Sequence, residues 1–408
     1  MKILHISTSL EGGAGLCAKR IMNATRALGI DAKAIVAHGE RTEFVDVIKP
    51  VNPYSRFRLI RYIQRLLYFK GLWPETTRIA GRIQTEMREN QTSVTFTSPI
   101  TLYKDIANHP WVKDADIIHL HWIGNFVDYE SFFREVKKPI VWTIHDQNPG
   151  FGGFHFQMWH EGAKDSFKAL DEELASLKSR AYKEVESLTL VAISSFMKEF
   201  FLKNKLLCNF PCTLIHNGLE EARFTLISKD CAREALGLSD NSKVFLFVAQ
   251  YIHQDIKGLS VLMEALEMLS IPNMILVCVG KYNEPPQASF EIRCEGFVEN
   301  NRLQSLYYSA ADFFMMPSFQ EAFAQVPMEA MACGTPVVAF PCSGSHDLIN
   351  QDNGIVCDDF TVKALVKGIR LVMSRNYDRK TIREDVVKRF SYKKIAQQYV
   401  DLYQTLVQ

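Results

Sequence analysis

The feature that most limits what this chain can fold into is an alternation of short apolar runs with helical patterns. The candidate strands are Lys2–Ser7, Ala32–Val36, Asp116–His121, Ile140–Ile144, Leu188–Ile193, Val244–Ala249, Met274–Gly280, Phe313–Met316, Thr335–Ala339 and Ile355–Cys357. Segments of helical period such as Ala14–Leu28, Lys257–Leu269 and Val362–Met373 lie between them. A strand that is apolar along its whole length needs cover on both faces. The pattern therefore predicts an α/β chain built on parallel sheets with helices on each side.

The strand count is high for one sheet, and 408 residues are enough for two ordinary domains. The stretch His216-Asn217-Gly218-Leu219-Glu220 has turn chemistry and breaks the series, which restarts at Val244. The expected division is a domain at 1–222 and a second at 223–391, with a last helix at 392–408 packing back. Open parallel sheets hold ligands at the carboxyl ends of their strands, so the two domains are expected to face a central cleft.

Composition narrows the partners. The net charge of +1 gives no global pull toward nucleic acid. The first residues read as a strand rather than a leader, and no apolar run approaches a membrane span. Nine cysteines without a Cys-x-x-Cys pair read as reduced thiols, so a cytoplasmic protein is expected. One segment breaks the alternation: Arg56–Trp73 interleaves Arg56, Arg58, Arg61, Arg65 and Lys70 with Leu, Ile, Phe and Tyr. It reads either as a helix packed on its own domain with a solvated basic face, or as a peripheral contact to a membrane's inner face.

The densest chemistry lies in Pro317–Ala339. The reading is strand, loop, helix, turn, strand, with Pro327 at the first helical position and Gly334 as the left-handed residue that ends the helix. Ala322, Phe323, Ala324 and Gln325 precede the helix. Small residues there let backbone N–H groups approach a ligand, and with the helix dipole they favour an anion such as a pyrophosphate. Glu321 is expected in the loop and Glu329 in the first helical turn, both aimed at one ligand. A carboxylate accepts paired hydrogen bonds from adjacent hydroxyls, which suits sugar and ribose diols. Either glutamate alone would equally fit simple dipole complementation.

The string Glu321…Glu329-Ala-Met-Ala-Cys-Gly-Thr-Pro-Val-Val resembles the retaining glycosyltransferases of family 4. Those have the GT-B architecture of two Rossmann-like domains, and the resemblance covers nearly the full chain. It implies a hexose transferred from a nucleoside-diphosphate sugar to a hydroxyl acceptor, a glycan or a lipid-linked oligosaccharide of bacterial surface polysaccharide. It implies no cofactor and no essential metal. Glu321 would bind the donor hexose and Glu329 the nucleotide ribose. Ala324 stands where the family commonly has glycine.

The same resemblance extends to other residues. Lys257, before Gly258, would meet the leaving diphosphate, but the arginine that usually precedes it is missing from Gln250-Tyr-Ile-His253-Gln-Asp-Ile-Lys257. Gln250, His253 or another residue would supply its partner. Gly12, Gly13 and Gly15 would form the loop facing diphosphate and sugar. Phe297 and Val298 would border the base. His145, at the end of the strand Ile140–Ile144, would contact the transferred sugar, and His121 and Trp122 the acceptor. His119 and His121 share a strand face, yet the sequence shows no third metal ligand. Asp114-Ala-Asp116 reads as a strand start. Two other readings remain at this stage. A sugar-nucleotide epimerase of GT-B fold would act without an acceptor, and a non-catalytic glycan-binding protein would bind without turnover.

Overall fold

The computed structural model describes residues 1–50, 75–90 and 94–407. The basic segment Arg56–Trp73 lies outside the described residues. The chain divides into two compact units. The first comprises Met1–Ile193, Met197–Ile215 and Ala396–Gln408, and the second Ser194–Phe196 and His216–Ile395.

Among the described residues the first unit is built on a seven-stranded sheet. Its strands are β1 (Lys2–Ser9), β2 (Asp31–His38), β3 (Val45–Val47), β4 (Ile117–Leu120), β5 (Ile140–Ile144), β6 (Leu188–Ala192) and β7 (Cys212–Leu214). The order is β3-β2-β1-β4-β5-β6-β7, and every pairing is parallel. β4 and β5 are buried at every position, as continuous apolar strands covered on both faces must be. Helices such as Gly12–Ala27 and Asp165–Tyr182 make the crossovers. Phe96, Phe154, Phe167, Leu170 and Leu174 form a tight cluster under the latter helix.

The second unit has six parallel strands. They are β8 (Lys243–Tyr251), β9 (Met274–Lys281), β10 (Glu291–Cys294), β11 (Phe313–Met316), β12 (Val337–Ala339) and β13 (Gly354–Val356), in the order β10-β9-β8-β11-β12-β13. Its core joins Phe245, Phe247, Leu276 and Met315 of the sheet to Leu262 and Leu266 of the helix Leu259–Leu269 and to Leu365 and Ile369 of Val362–Met373.

Every apolar run named from the sequence is a strand. β3, β7 and β10 were not anticipated, and each sits at a sheet edge. An edge strand is buried on fewer sides. Val-Asp-Val, Cys-Thr-Leu and Glu-Ile-Arg-Cys accordingly lack a continuous apolar run.

The units part at Ile215/His216 rather than after residue 222. The turn is held by the second unit: Leu219 N donates to Phe390 O (2.7 Å), and Tyr392 N donates to Leu219 O (3.0 Å). Gly218 lies against the Tyr392 ring, where a Cβ would come within 2.9 Å. The last helix, Tyr392–Val407, begins in the second unit and passes into the first at Ala396. Tyr399 and Tyr403, four residues apart on one helical face, are buried in the first unit. Tyr399 Oη pairs with Thr143 Oγ1 (2.9 Å) and Tyr403 Oη with His119 Nδ1 (2.6 Å).

Replacing Tyr403 by Phe keeps the ring and leaves a wholly buried imidazole nitrogen without its partner. A loss of about 1–3 kcal/mol is expected in urea unfolding. An unchanged midpoint would show that the hydroxyl does not hold this helix.

Candidate functional site

In the second unit the loop after β11 carries Glu321, the first of the expected carboxylates, and three contacts fix it. Gly258 has φ +74° and lies against Pro317, where a Cβ would approach the carbonyl oxygen to 2.0 Å. Phe319 N donates to Ile256 O (2.9 Å). Phe323 is buried against the rings of His216 and Phe390, with Gly344 leaving it room. Pinning Phe323 inward leaves Glu321 half-buried at the loop's outer side.

The following helix runs from Gln325 to Ala332, starting two residues before the expected Pro327. Ala324 is its N-cap and supplies no side-chain cap, so the first backbone N–H groups have no side-chain acceptor from that position. Pro327 falls at the third helical position, still within the first four residues whose N–H groups an α-helix leaves unpaired. Gln325 is thus the first helical residue rather than part of the loop. Glu329 moves accordingly from the first turn to the second, and its Oε2 accepts from the Tyr308 hydroxyl at 2.9 Å. Gly334 takes φ +76° and ends the segment as expected.

Lys257 lies at the end of a short 3₁₀ turn after β8. Its Nζ is 2.5 Å from Glu321 Oε1. Burial opposes the charge, but the Glu321 carboxylate outweighs it and raises the Lys257 pKa above its ordinary value. The structure therefore joins two of the predicted residues directly. Gln250 falls inside β8, which runs one turn of the pleat further than expected, and is exposed. His253 bonds through Nε2 to Glu284 O (2.8 Å).

The sequence reading did not single out Lys281. It ends β9 opposite Tyr251, and its Nζ lies 5.6 Å from the Tyr251 ring centroid and 5.3 Å from that of Phe297. Phe297 is exposed and Val298 buried. A lysine closing an apolar strand at the ligand-binding edge was the available signal.

In the first unit, the glycines expected in a loop form the first turn of the helix Gly12–Ala27. A Cβ on Gly15 would come within 2.6 Å of Ser9 O, so this glycine serves helix–strand contact. Gly12 and Gly13 have no such neighbour within 4 Å among the described residues.

His121 follows β4 and His145 follows β5. His121 Nδ1 lies 3.3 Å from His145 Nε2, and His121 Nε2 lies 2.9 Å from His5 Nδ1. His5 is the third histidine that strand spacing did not reveal. It is opposite His119 in the β1–β4 register. Ligand atoms of His5, His119 and His121 lie within 4.8 Å of one another. His119 has both nitrogens engaged, by Tyr403 Oη and by Thr143 Oγ1. Burial pushes His5 down to about 3 and His145 to about 4, and holds His119 and His121 well below their ordinary value.

Trp122 is half-buried and donates its indole N–H to Asp146 Oδ2 (2.9 Å). The same oxygen meets His155 Nδ1 at 2.6 Å, and Asp146 Oδ1 accepts from Asn148 N (2.9 Å). Burial opposes the charge of Asp146, yet His155 and these donors hold its pKa below the usual carboxylate range.

Two parallel-sheet α/β units of this kind are the GT-B fold, and the chain is a glycosyltransferase. Residues 228–389 match the family model described as glycosyl transferases group 1. The chain is 29% identical over 318 residues to an uncharacterized glycosyltransferase of Methanocaldococcus jannaschii, covering 72% of this chain and 76% of that protein. It is 35% identical over 145 residues to the D-inositol 3-phosphate glycosyltransferase of Xylanimonas cellulosilytica, which is 32% of this chain and 34% of that one. The structure of Anabaena HepE in complex with UDP-glucose superposes with a TM-score of 0.66 at 18% identity, over 100% of both chains. Among the described residues no helix is long and apolar enough to cross a membrane.

The histidine environment gives a signed pH effect. In the unfolded chain His5 binds a proton near its ordinary 6.5, and in the folded chain only near 3. Its contribution to stability is therefore complete above pH 6.5 and falls by about 1.4 kcal/mol per pH unit as the pH drops from there toward 3. His5→Phe is expected to flatten this part of the urea-midpoint profile between pH 7 and 5. Parallel profiles for the two proteins would show that His5 is not held neutral.

Proposed function

We propose that the protein is a retaining glycosyltransferase that moves a hexose from a nucleoside-diphosphate sugar to a hydroxyl acceptor. The acceptor is a glycan or lipid-linked oligosaccharide of a bacterial surface polysaccharide. The observation that carries the reading is the Lys257–Glu321 pair placed just before a helix start whose N-cap residue Ala324 has no capping side chain, with Glu329 further along that helix. A cation, a helix N-terminus and two carboxylates suit a ligand that is anionic in the middle and hydroxylated at both ends.

In this reading Lys257 and the N–H groups at Gln325 bind the diphosphate, with Ala322, Phe323 and Ala324 shaping the loop that admits it. Glu321 accepts hydrogen bonds from hexose hydroxyls and Glu329, fixed by Tyr308, from the ribose. Phe297 and Val298 border the base, and Gln250 lines the same strand edge. Gly12, Gly13 and Gly15 allow close backbone approach at the start of the first helix. His145 contacts the transferred sugar and Trp122 serves the acceptor, while His121, which the sequence pointed to as a second acceptor contact, is buried with both ring nitrogens engaged and acts through His145 instead. The acceptor oxygen bonds to the anomeric carbon as the bond from that carbon to the β-phosphate oxygen breaks. The acceptor proton passes to the leaving phosphate on the same face, so the configuration is retained. Negative charge grows on the diphosphate, where Lys257 and the helix start stabilise it. The chemistry needs no side-chain nucleophile and no resident cofactor.

The donor is tested by a thermal-shift screen with UDP-, GDP- and ADP-sugars, in which the true donor raises the melting temperature by mass action. Glu321→Ala is expected to lower transfer by about 100-fold or more. Glu321→Gln frees Lys257 from its partner and is expected to bind the bare nucleoside diphosphate about five-fold more tightly, the worth of one partly exposed ion pair. Full transfer by Glu321→Ala would overturn the donor-site assignment. NMR of the product linkage tests retention independently.

A further inference from the structure

We infer that His5 and His121 fix which nitrogen of His145 carries its proton, presenting Nδ1–H of His145 as a hydrogen-bond donor to a sugar oxygen. His5 and His121 are then positioning residues, acting through His145. The consequence for transfer rests on the reading of His145 as a sugar contact; the geometry does not.

The three rings form an unbroken line: His5 Nδ1 to His121 Nε2 at 2.9 Å, then His121 Nδ1 to His145 Nε2 at 3.3 Å. Three strands supply them, and the β1–β4 and β4–β5 pairings set their spacing. His5 and His121 are buried, whereas His145 is partly exposed, so the line runs from the interior to the surface. A neutral imidazole has one N–H and one lone pair. His121 is bonded through both nitrogens, so one must donate and the other accept. That requirement couples the three tautomers, and two states are allowed. Either all three rings carry the proton on Nδ1, or all three carry it on Nε2.

The inner end distinguishes the two. His5 Nε2 is buried and has no hydrogen-bond partner among the described residues. With protons on Nε2, a buried N–H is orphaned there. With protons on Nδ1, a lone pair is. Orphaned buried N–H groups are the rarer of the two in folded proteins. Free histidine weakly prefers the Nε2–H form, and the burial of His5 opposes that preference. His119 does not compete for His5, since Tyr403 and Thr143 occupy its nitrogens. Asp146, next in the chain to His145, does not set its tautomer either, because its oxygens are bonded to Trp122, His155 and the backbone of Asn148. The remaining character of His145 is then a neutral Nδ1–H donor, matched to a hydroxyl oxygen of the sugar.

The test is nitrogen-15 NMR of the full-length protein labelled at histidine, with long-range correlations that report the protonated nitrogen of each ring. The expected result is Nδ1–H on His5, His121 and His145 at pH 7, and a mixed tautomer at His145 in His5→Phe. Nε2–H on His145, or averaging of its two forms in the parent protein, overturns the inference. So does stoichiometric uptake of Co²⁺ with loss of the correlations, which would make the cluster a metal site. In transfer assays His5→Phe is expected to lower kcat about ten-fold with KM little changed, the effect of one mis-set hydrogen bond. Unchanged kcat in a His5→Phe protein whose His145 tautomer is mixed also overturns it. Full activity of His145→Ala would instead remove the sugar-contact reading while leaving the NMR result standing.

Discussion

Parallel pairing is the constraint from which the rest of the molecule follows. In each sheet all strands run the same way, so all their carboxyl ends gather along one edge. Residues that follow β4 and β5 in the first sheet, and separately those that follow β8, β9 and β11 in the second, are brought near one another without being near in sequence. The histidine line is the clearest product. Side chains alternate along a strand, so His119 and His121 share a face, and the pairing of His5 with His119 puts the third ring on it. A one-residue slip of β1 would turn His5 to the opposite face and break the line.

Close backbone approach is the second requirement, and it is met by glycine at the places where strands turn into loops. Gly280 takes φ +151°, and a Cβ there would lie 1.9 Å from Ala249 O. Gly258 does the same against Pro317. These contacts press the loops after β8, β9 and β11 together. Lys257 is adjacent to one of them and Lys281 to the other, so both lysines are placed by backbone packing. The buried Phe323 works the same way from the opposite side. It anchors the middle of the loop so that the residues flanking it keep their polar groups at the surface.

Legibility in the sequence follows how local each feature is. Central strands read clearly because burial on both faces forces a continuous apolar run. The edge strands β3, β7 and β10 did not, because partial burial imposes no such pattern. The Glu321–Ala339 string was legible because strand, loop, helix and turn each have local chemistry. Its helix start was misplaced by two residues, because Pro327 is tolerated at more than one position of the first turn. His5 and Tyr308 were invisible as site residues. Each matters through a partner far along the chain, His121 and Glu329 respectively, and nothing in sequence spacing reports strand register or helix docking.

The pairing of Lys257 with Glu321 bears on how such a site discriminates ligands. Each side chain is only partly exposed, so each would lose hydration without a compensating partner. Without ligand they satisfy one another. A complete donor replaces both interactions at once, with diphosphate for the lysine and sugar hydroxyls for the carboxylate. A bare nucleoside diphosphate replaces one and leaves Glu321 without a partner in a half-buried setting. Under the proposed function, the ion pair therefore favours the intact sugar nucleotide over its own product. That difference is set by two side chains whose contact the backbone at Gly258 and Pro317 enforces.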